Sequence, residues 1–323
     1  MSGRTELLEQ VAETLLAAES IAICAHVDPD GDAIGSTLGL AHLLRGCGVA
    51  VTPLLASGDR APATYAFLPG ADTLQAATTN VTCDLFVALD APDPARLGDA
   101  RDLALNARRL VVIDHHPDNK YYGILNLVDE RAAATGELLW ELLPYLGCAP
   151  ESIAAMCLFT ALMTDTGRFS YGNTTPAALR HAAEMIEAGA NVVDLYRHVY
   201  ENRSRGALAL VARTIGRLTF ANAGHVAYSW IDTNDFAETG ALPEETENLI
   251  DEIRVVSGVD AVALLKVSHD SVRVSLRAKN GYDVGLVART LGGGGHAAAA
   301  GFTRAGSLES VLGELLPLLP SVG

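Results

Sequence analysis

The sequence predicts an α/β fold, with a mostly parallel sheet covered by helices on both faces, followed by a smaller α+β domain. Three observations carry this. Apolar runs at 21–25, 85–89 and 110–113 are continuous rather than alternating, as in strands buried on both faces. Segments with helical spacing separate these runs. Beyond about residue 215 the pattern changes to short strands grouped in hairpin pairs. At roughly 150 residues per domain, 323 residues suggest two domains. The boundaries expected are 1–190 for the first domain, 191–214 for a helical connector and 215–323 for the second.

Residues 5–18 place Leu7, Leu8, Val11, Leu15 and Leu16 on one helical stripe ahead of the strand at 21–25. The polar loop HVDPDGD follows, then a helix from about 33 to 47 and a strand at 49–55. The runs at 85–89 and 110–113 end in Asp90 and Asp114. Helical patterns cover 134–147, 151–165 and 176–188, and 191–215 is helical with mixed charge. Strands are expected at 215–220 and 225–231 around Asn222-Ala-Gly, and at 261–267 and 271–278 around His269-Asp270. A helix at 283–290, the run GGGG and a last helix at 307–318 complete the chain.

With 49% hydrophobic and 19% charged residues, the chain can bury real cores and is not disordered by composition. Its longest uncharged apolar stretch, 152–164, is 13 residues, short of the roughly 18 of a membrane span. Glu6, Glu9, Glu13 and Glu19 stand where a signal peptide would be basic and then apolar. These features predict a soluble, cytoplasmic protein. The five cysteines are widely spaced without a CxxC pair, so buried free thiols are expected rather than a disulfide framework or a thiolate zinc site. The net charge is −16, with −13 in residues 1–190 and −3 in 191–323. Such a surface repels long duplex nucleic acid, which needs Lys and Arg on its phosphates. It leaves a small phosphorylated ligand possible.

The acidic groups Asp28/Asp30/Asp32, Asp90 and Asp114 all lie just beyond the carboxyl ends of expected strands, the edge where open α/β sheets bind ligands. His26-Val-Asp-Pro-Asp30-Gly-Asp32 packs one imidazole and three carboxylates into seven residues, a repulsive arrangement that a divalent cation would relieve. An acidic turn before a helix is also an ordinary N-cap. Asp90 alone, a single aspartate after an apolar strand, reads as a turn former. In extended geometry His115 and His116 point to opposite sides, so one imidazole suits a metal and the other a substrate. Asp114 would orient one of them. Asp165 ends an apolar helix, where the dipole disfavours a carboxylate by about 0.3–1 kcal/mol, and either Arg168 or a metal should offset it. Two histidines and four aspartates give mixed nitrogen and oxygen donors that suit Mn²⁺, Co²⁺ or Fe²⁺. They are enough for two metals about 3.5–4 Å apart, a clamp for phosphoryl hydrolysis.

The ordered set HVDPDGD, LD, DHH and TDTGRF resembles the four motifs of the DHH phosphoesterase superfamily. The run GGGGH resembles that of the DHH-associated C-terminal domain, DHHA1. Length and domain pairing are similar to the NrnA-like group of nanoRNases (oligoribonucleases) and 3′-phosphoadenosine 5′-phosphate phosphatases. The resemblance implies one metal on His26, Asp30 and Asp90, and a second on Asp32, Asp90, His115 and Asp165, with Asp90 bridging. Mn²⁺ is the metal it favours. It also implies that His116 contacts the scissile phosphate, that Asp114 supports the site, and that Asp28 is a turn or outer residue. Substrates would be RNA oligomers of a few nucleotides, linear dinucleotides such as pApA and pGpG, or 3′-phosphoadenosine 5′-phosphate, and a homodimer is possible. A manganese-dependent pyrophosphatase is the alternative, although its basic C-terminal motif is missing; a non-catalytic nucleotide sensor is another.

In 272–277 the alternation puts Val272, Val274 and Leu276 toward a core and Arg273, Ser275 and Arg277 on the other face. That face reads as a phosphate platform or as a solvated surface. Four consecutive glycines are costly in chain entropy unless backbone must approach a ligand closely. In the family reading Gly293, Gly294, Gly295 and His296 join Arg273, Ser275, Arg277 and Arg168 in binding substrate. His42, His181, His198, His225 and His269 are expected to be structural or exposed.

Overall fold

The computed structural model describes residues 2–78, 81–246, 248–279 and 281–320. The chain folds as two units, 1–201 and 202–323. In the first, α1 (Ser2–Leu16) leads into β1 (Ser20–Cys24), α2 (Gly31–Gly46), β2 (Ala50–Leu55), β3 (Gln75–Ala76) and β4 (Leu85–Leu89). Then come α3 (Arg101–Asn106), β5 (Leu110–Asp114), β6 (Leu125–Val128), α4 (Thr135–Leu146), α5 (Ser152–Asp165), α6 (Pro176–Glu187) and α7 (Val192–Tyr200).

All pairings in the first sheet are parallel, in the order β3-β2-β1-β4-β5-β6. Every residue of β4 and β5 is buried, as their unbroken apolar runs require. Ile21, Ile23, Val87, Leu89, Val111 and Ile113 point into one core with α1, α2, α4 and α5. Ala22, Cys24, Phe86, Ala88 and Val112 point into a second core on the other face, with Ala104 of α3. Each fully buried side chain of the Val, Leu or Phe kind contributes about 1.5–3 kcal/mol. The chain runs outward from β1 to β2 and β3, then returns to the other side of β1 as β4. The strand order therefore reverses between β1 and β4, and a crevice opens at their carboxyl ends.

Helix α2 lies against α5 at backbone distance. A Cβ on Gly35 would sit 2.5 Å from the Cys157 carbonyl oxygen, so only glycine allows this approach. Asp30 caps α2 by accepting from the Ala33 N–H at 3.0 Å, which starts the helix at Gly31, earlier than apolar spacing suggests. The cysteines correct one expectation. Cys24, Cys83 and Cys157 are free thiols, but Cys47 and Cys148 form a disulfide. They follow α2 and α4, whose packing brings their ends together across a sequence separation of 101, which spacing alone does not reveal.

The second unit contains α8 (Arg205–Gly216), β7 (Thr219–Ala221), β8 (Val226–Asp232), α9 (Thr233–Thr239) and α10 (Leu249–Arg254). It continues with β9 (Ala261–Val267), β10 (Ser271–Ala278), α11 (Val284–Thr290), β11 (Gly294–Gly295), β12 (Ala299–Ala305) and α12 (Leu308–Leu315). The sheet order is β11-β12-β10-β9-β8-β7, antiparallel except for β8 with β9. Val272, Val274 and Leu276 enter a core with α11 and α12. The other face packs Val262 and Leu264 under Leu210 of α8 and Ile250 and Ile253 of α10. The segment 191–214 is thus shared: Leu195 and Val199 of α7 are buried in the first unit's core, and Leu210 of α8 in the second's. The strand expected from 215 begins at 219, because Ile215 and Gly216 still belong to α8. Among the described residues no helix is long and apolar enough to cross a membrane.

Candidate metal centre

The crevice at the strand ends collects side chains from five elements. His26 follows β1, Asp30 and Asp32 begin α2, Asp90 follows β4, His115 and His116 follow β5, and Asp165 ends α5. Asp90 adopts a left-handed φ of 52°, which aspartate tolerates better than most residues and which turns its carboxylate into the crevice.

Asp90 stands between two histidines. Its Oδ2 lies 3.3 Å from His26 Nε2, and its Oδ1 lies 3.5 Å from His115 Nε2. His26 Nε2 is also 3.7 Å from Asp30 Oδ1. His115 Nε2 is 3.7 Å from Asp32 Oδ2 and 3.5 Å from Asp165 Oδ2. Two compact donor groups result, His26/Asp30/Asp90 and Asp32/Asp90/His115, each with ligand atoms within 4.8 Å of one another.

Tautomers and hydrogen bonds suit this set to divalent cations. His26 Nδ1 donates to the Val27 carbonyl at 2.7 Å, and His115 Nδ1 donates to the Ala132 carbonyl at 3.2 Å. A carbonyl only accepts, so Nδ1 carries a proton in both rings and Nε2 is the nitrogen turned to the crevice, where a cation would take the place of its proton. Asp32 is held rigidly by the Thr135 N–H at 2.6 Å, the Gly136 N–H at 3.0 Å and the Ser36 hydroxyl at 2.7 Å. The Thr135 hydroxyl donates to Asp90 Oδ1 at 3.1 Å.

The charges are crowded and dry: Asp32 and Asp90 are 1% and 2% exposed. Burial and the Asp90 charge push Asp32 well above the usual carboxylate range. Burial also drives Asp165 up to about 6, with Asp30 and Asp90 adding to it against His115. Burial acts the same way on Asp90, but the hydrogen bonds of His115 and His26 outweigh it and hold Asp90 well below its ordinary value. Four carboxylates, Asp30, Asp32, Asp90 and Asp165, converge on two imidazoles, so a cation fits here on charge as well as donor type.

Asp114 is different. Its Oδ1 accepts from the His115 and His116 N–H groups at 2.8 and 3.2 Å and from His116 Nδ1 at 2.8 Å, while Oδ2 accepts from the Asn119 amide at 2.5 Å. Its acceptor capacity is spent on shaping the 114–119 turn. Burial opposes protonation of His116, but the charge and hydrogen bond of Asp114 prevail and raise its pKa. The two imidazole rings meet edge to face at 5.0 Å, and Asp90 Oδ1 lies 3.5 Å from His115 Nε2 and 3.4 Å from His116 Nδ1. Asp28 turns the loop with φ 51°. The Arg168 guanidinium lies 4.9 Å over the Tyr200 ring, in the left-handed run Gly167-Arg168-Phe169 that follows Asp165. Sequence reading missed Thr135, Ser36 and Asn119; Asn119 alone left a trace, being close to the DHH run.

In the second unit, Arg273 is exposed on β10, opposite Lys266 and Thr303. Ser275 and Arg277 are half-buried, and the Arg277 Nε lies 4.0 Å from Asp251. A Cβ on Gly293 would sit 2.1 Å from the Gly301 carbonyl oxygen, while Gly294 and Gly295 pair with β12. The close pairing to β12 thus itself demands glycine in this run. The His296 N–H donates to the Ala299 carbonyl at 2.8 Å.

Residues 20–164 match the model of the DHH family N-terminal domain, and 223–319 match the DHHA1 domain. The chain is 33% identical over 307 residues to the bifunctional oligoribonuclease and PAP phosphatase NrnA of Thermus thermophilus, covering 93% of this chain and 89% of that one. Its fold is similar to an exopolyphosphatase-related protein from Bacteroides fragilis, with TM-score 0.87 at 23% identity, over 96% of this chain and 94% of that one. It is also similar to RecJ from Thermus thermophilus in complex with Mn²⁺, with TM-score 0.54 at 16% identity, over 98% of this chain and 55% of that one. The chain belongs to the DHH family, with the DHH domain in its first unit and the DHHA1 domain in its second.

Proposed function

We propose that the chain is a two-metal phosphoesterase that hydrolyses short oligonucleotides, linear dinucleotides such as pApA and pGpG, and 3′-phosphoadenosine 5′-phosphate. The observation that carries this reading is Asp90, which turns one carboxylate oxygen to His26 and the other to His115. Its support is the Thermus relative named for oligoribonuclease and PAP phosphatase activity.

His26, Asp30 and Asp90 would hold one divalent cation, and Asp32, Asp90, His115 and Asp165 the other, with Mn²⁺ favoured by the mixed donors. Such a pair supplies Lewis acidity and an activated water for attack on phosphorus. The protein does the rest. The Thr135 N–H and hydroxyl hold the Asp32 and Asp90 carboxylates at fixed spacing. Asp114 takes the Nδ1 proton of His116 as a hydrogen bond, which presents Nε2 to a phosphoryl or leaving oxygen and favours its protonated form. Arg273, Ser275, Arg277, His296 and the glycine run would read the nucleotide. Asp251 beside Arg277 leaves that guanidinium partly neutralised before substrate arrives.

The test is product analysis with labelled di- to pentanucleotides, 3′-phosphoadenosine 5′-phosphate and pyrophosphate under Mn²⁺. Turnover of short nucleotides above pyrophosphate is the expected result. Preference for pyrophosphate, or nucleotide binding without turnover at saturating metal, overturns it.

A further inference from the structure

We propose that the groove between α4 and α6 is a separate divalent-cation site, formed by Glu137, Glu141 and His181 and suited to Zn²⁺ or Mn²⁺. Glu137 and Glu141 are one helical turn apart on α4, and His181 faces them from α6, with Glu184 three residues on. The ligand atoms of Glu137, Glu141 and His181 lie within 4.8 Å of one another. Glu141 and His181 line a cavity of about 430 Å³ together with Leu8, Trp140 and Glu184, and Glu137 lies buried beside His181.

The charge inventory favours a cation. Glu137 is 2% exposed, with Oε1 2.9 Å from His181 Nδ1 and Oε2 accepting from the Ala133 N–H at 2.6 Å. A carboxylate this deep needs a positive partner, and at present a proton on the imidazole serves. Glu141 shares Arg4 with Asp129. Among the described residues Glu184 accepts a neutral hydrogen bond, from the Trp140 indole at 2.7 Å. Three carboxylates therefore face one shared guanidinium and one imidazole. The Glu137 hydrogen bond, with the charges of Glu141 and Glu184, holds His181 above its ordinary pKa against partial burial. Replacing that proton by an ion satisfies Glu137 and His181 together and also neutralises Glu141. One imidazole with carboxylates suits Zn²⁺ or Mn²⁺ better than Ca²⁺, which prefers oxygen alone. The ion would also brace the segment behind the strand-end centre, since Glu137 holds Ala133 and the neighbouring Ala132 carbonyl holds His115.

The site is independent of the proposed hydrolysis. Chelator-stripped protein is dialysed against Zn²⁺, and metal per chain is counted by mass spectrometry for wild type, Glu141→Gln, His181→Gln and Asp90→Asn. The expected result is one equivalent fewer in Glu141→Gln and His181→Gln than in wild type, with that equivalent kept in Asp90→Asn. Mn²⁺-dependent turnover of pApA should stay within about twofold of wild type in Glu141→Gln, because the loss lies outside the strand-end centre. Equal metal counts in wild type and Glu141→Gln overturn the proposal. Glu141 is on the groove's accessible side, so that variant decides the matter even where His181→Gln folds poorly. A protein inactive on every nucleotide but showing the Glu141-dependent equivalent sinks the proposed function and leaves this site standing.

Discussion

The Oδ1 of Asp114 lies 2.8 Å from the Nδ1 of His116, and this contact fixes which ring nitrogen faces the crevice. Asp114→Asn keeps the shape and removes the charge. Hydrolysis should fall by about 10–100-fold, the usual cost of losing an orienting carboxylate beside a metal site. The basic limb of the pH–rate profile should move to lower pH, because the neutral amide no longer favours imidazolium. A profile unchanged in position would show that His116 does not act in its protonated form.

Asp90→Asn separates charge from shape at the centre. Its Mn²⁺-dependent turnover should vanish, and Mn²⁺ should no longer raise the melting temperature. Without metal the variant should melt lower than wild type, since the 2% exposed Asp90 carboxylate is held ionised by His115 and His26 and an amide cannot replace that pairing. Calorimetry of stripped and loaded protein reads both effects.

Gly35→Val tests the approach of α2 to α5. With the added Cβ 2.5 Å from the Cys157 carbonyl oxygen, the helices must separate. The cost should be about 1–3 kcal/mol or more in urea unfolding, with loss of metal affinity because Asp32 sits on the same helix.

Asp235 sets an acid limit for the second unit. It is fully buried and accepts from Arg213 and Arg217. Burial pushes its pKa up, but the hydrogen bonds from Arg217, the Asp232 N–H and Arg213 outweigh this and leave it depressed. A depressed folded-state pKa stabilises above the unfolded value of about 3.9. That stabilisation is lost as pH falls through the lower folded value. Thermal melts should therefore drop steeply below about pH 4, and Asp235→Asn should be less stable at pH 7 with a shallower acid limb.

The Cys47–Cys148 bond predicts three titratable thiols in denatured, unreduced protein and five after reduction. Its loss, by reductant or by Cys148→Ser, should cost about 2–4 kcal/mol, as expected for closing a long loop.

The central strands were legible because β4 and β5 are unbroken apolar runs. The motif residues were legible because each follows a strand, opens a helix or ends one. β6 and β12 left little trace. The first is a half-buried edge of four residues, and the second opens in a run of alanines and a glycine with little strand preference of its own, formed by pairing with β10. Thr135 was invisible for a related reason. It reaches Asp90 from 45 residues away, and nothing local to either residue announces the contact. Spacing also hid the pairing of Glu137 with His181, 44 residues apart.

Asp30 has two duties, since the oxygen that caps α2 is also the one facing His26. The first turn of that helix and the occupancy of the centre are therefore thermodynamically linked. Chelation should fray the segment just after Asp30 before the rest of the domain responds, and amide exchange there would report metal supply to this protein in a living cell.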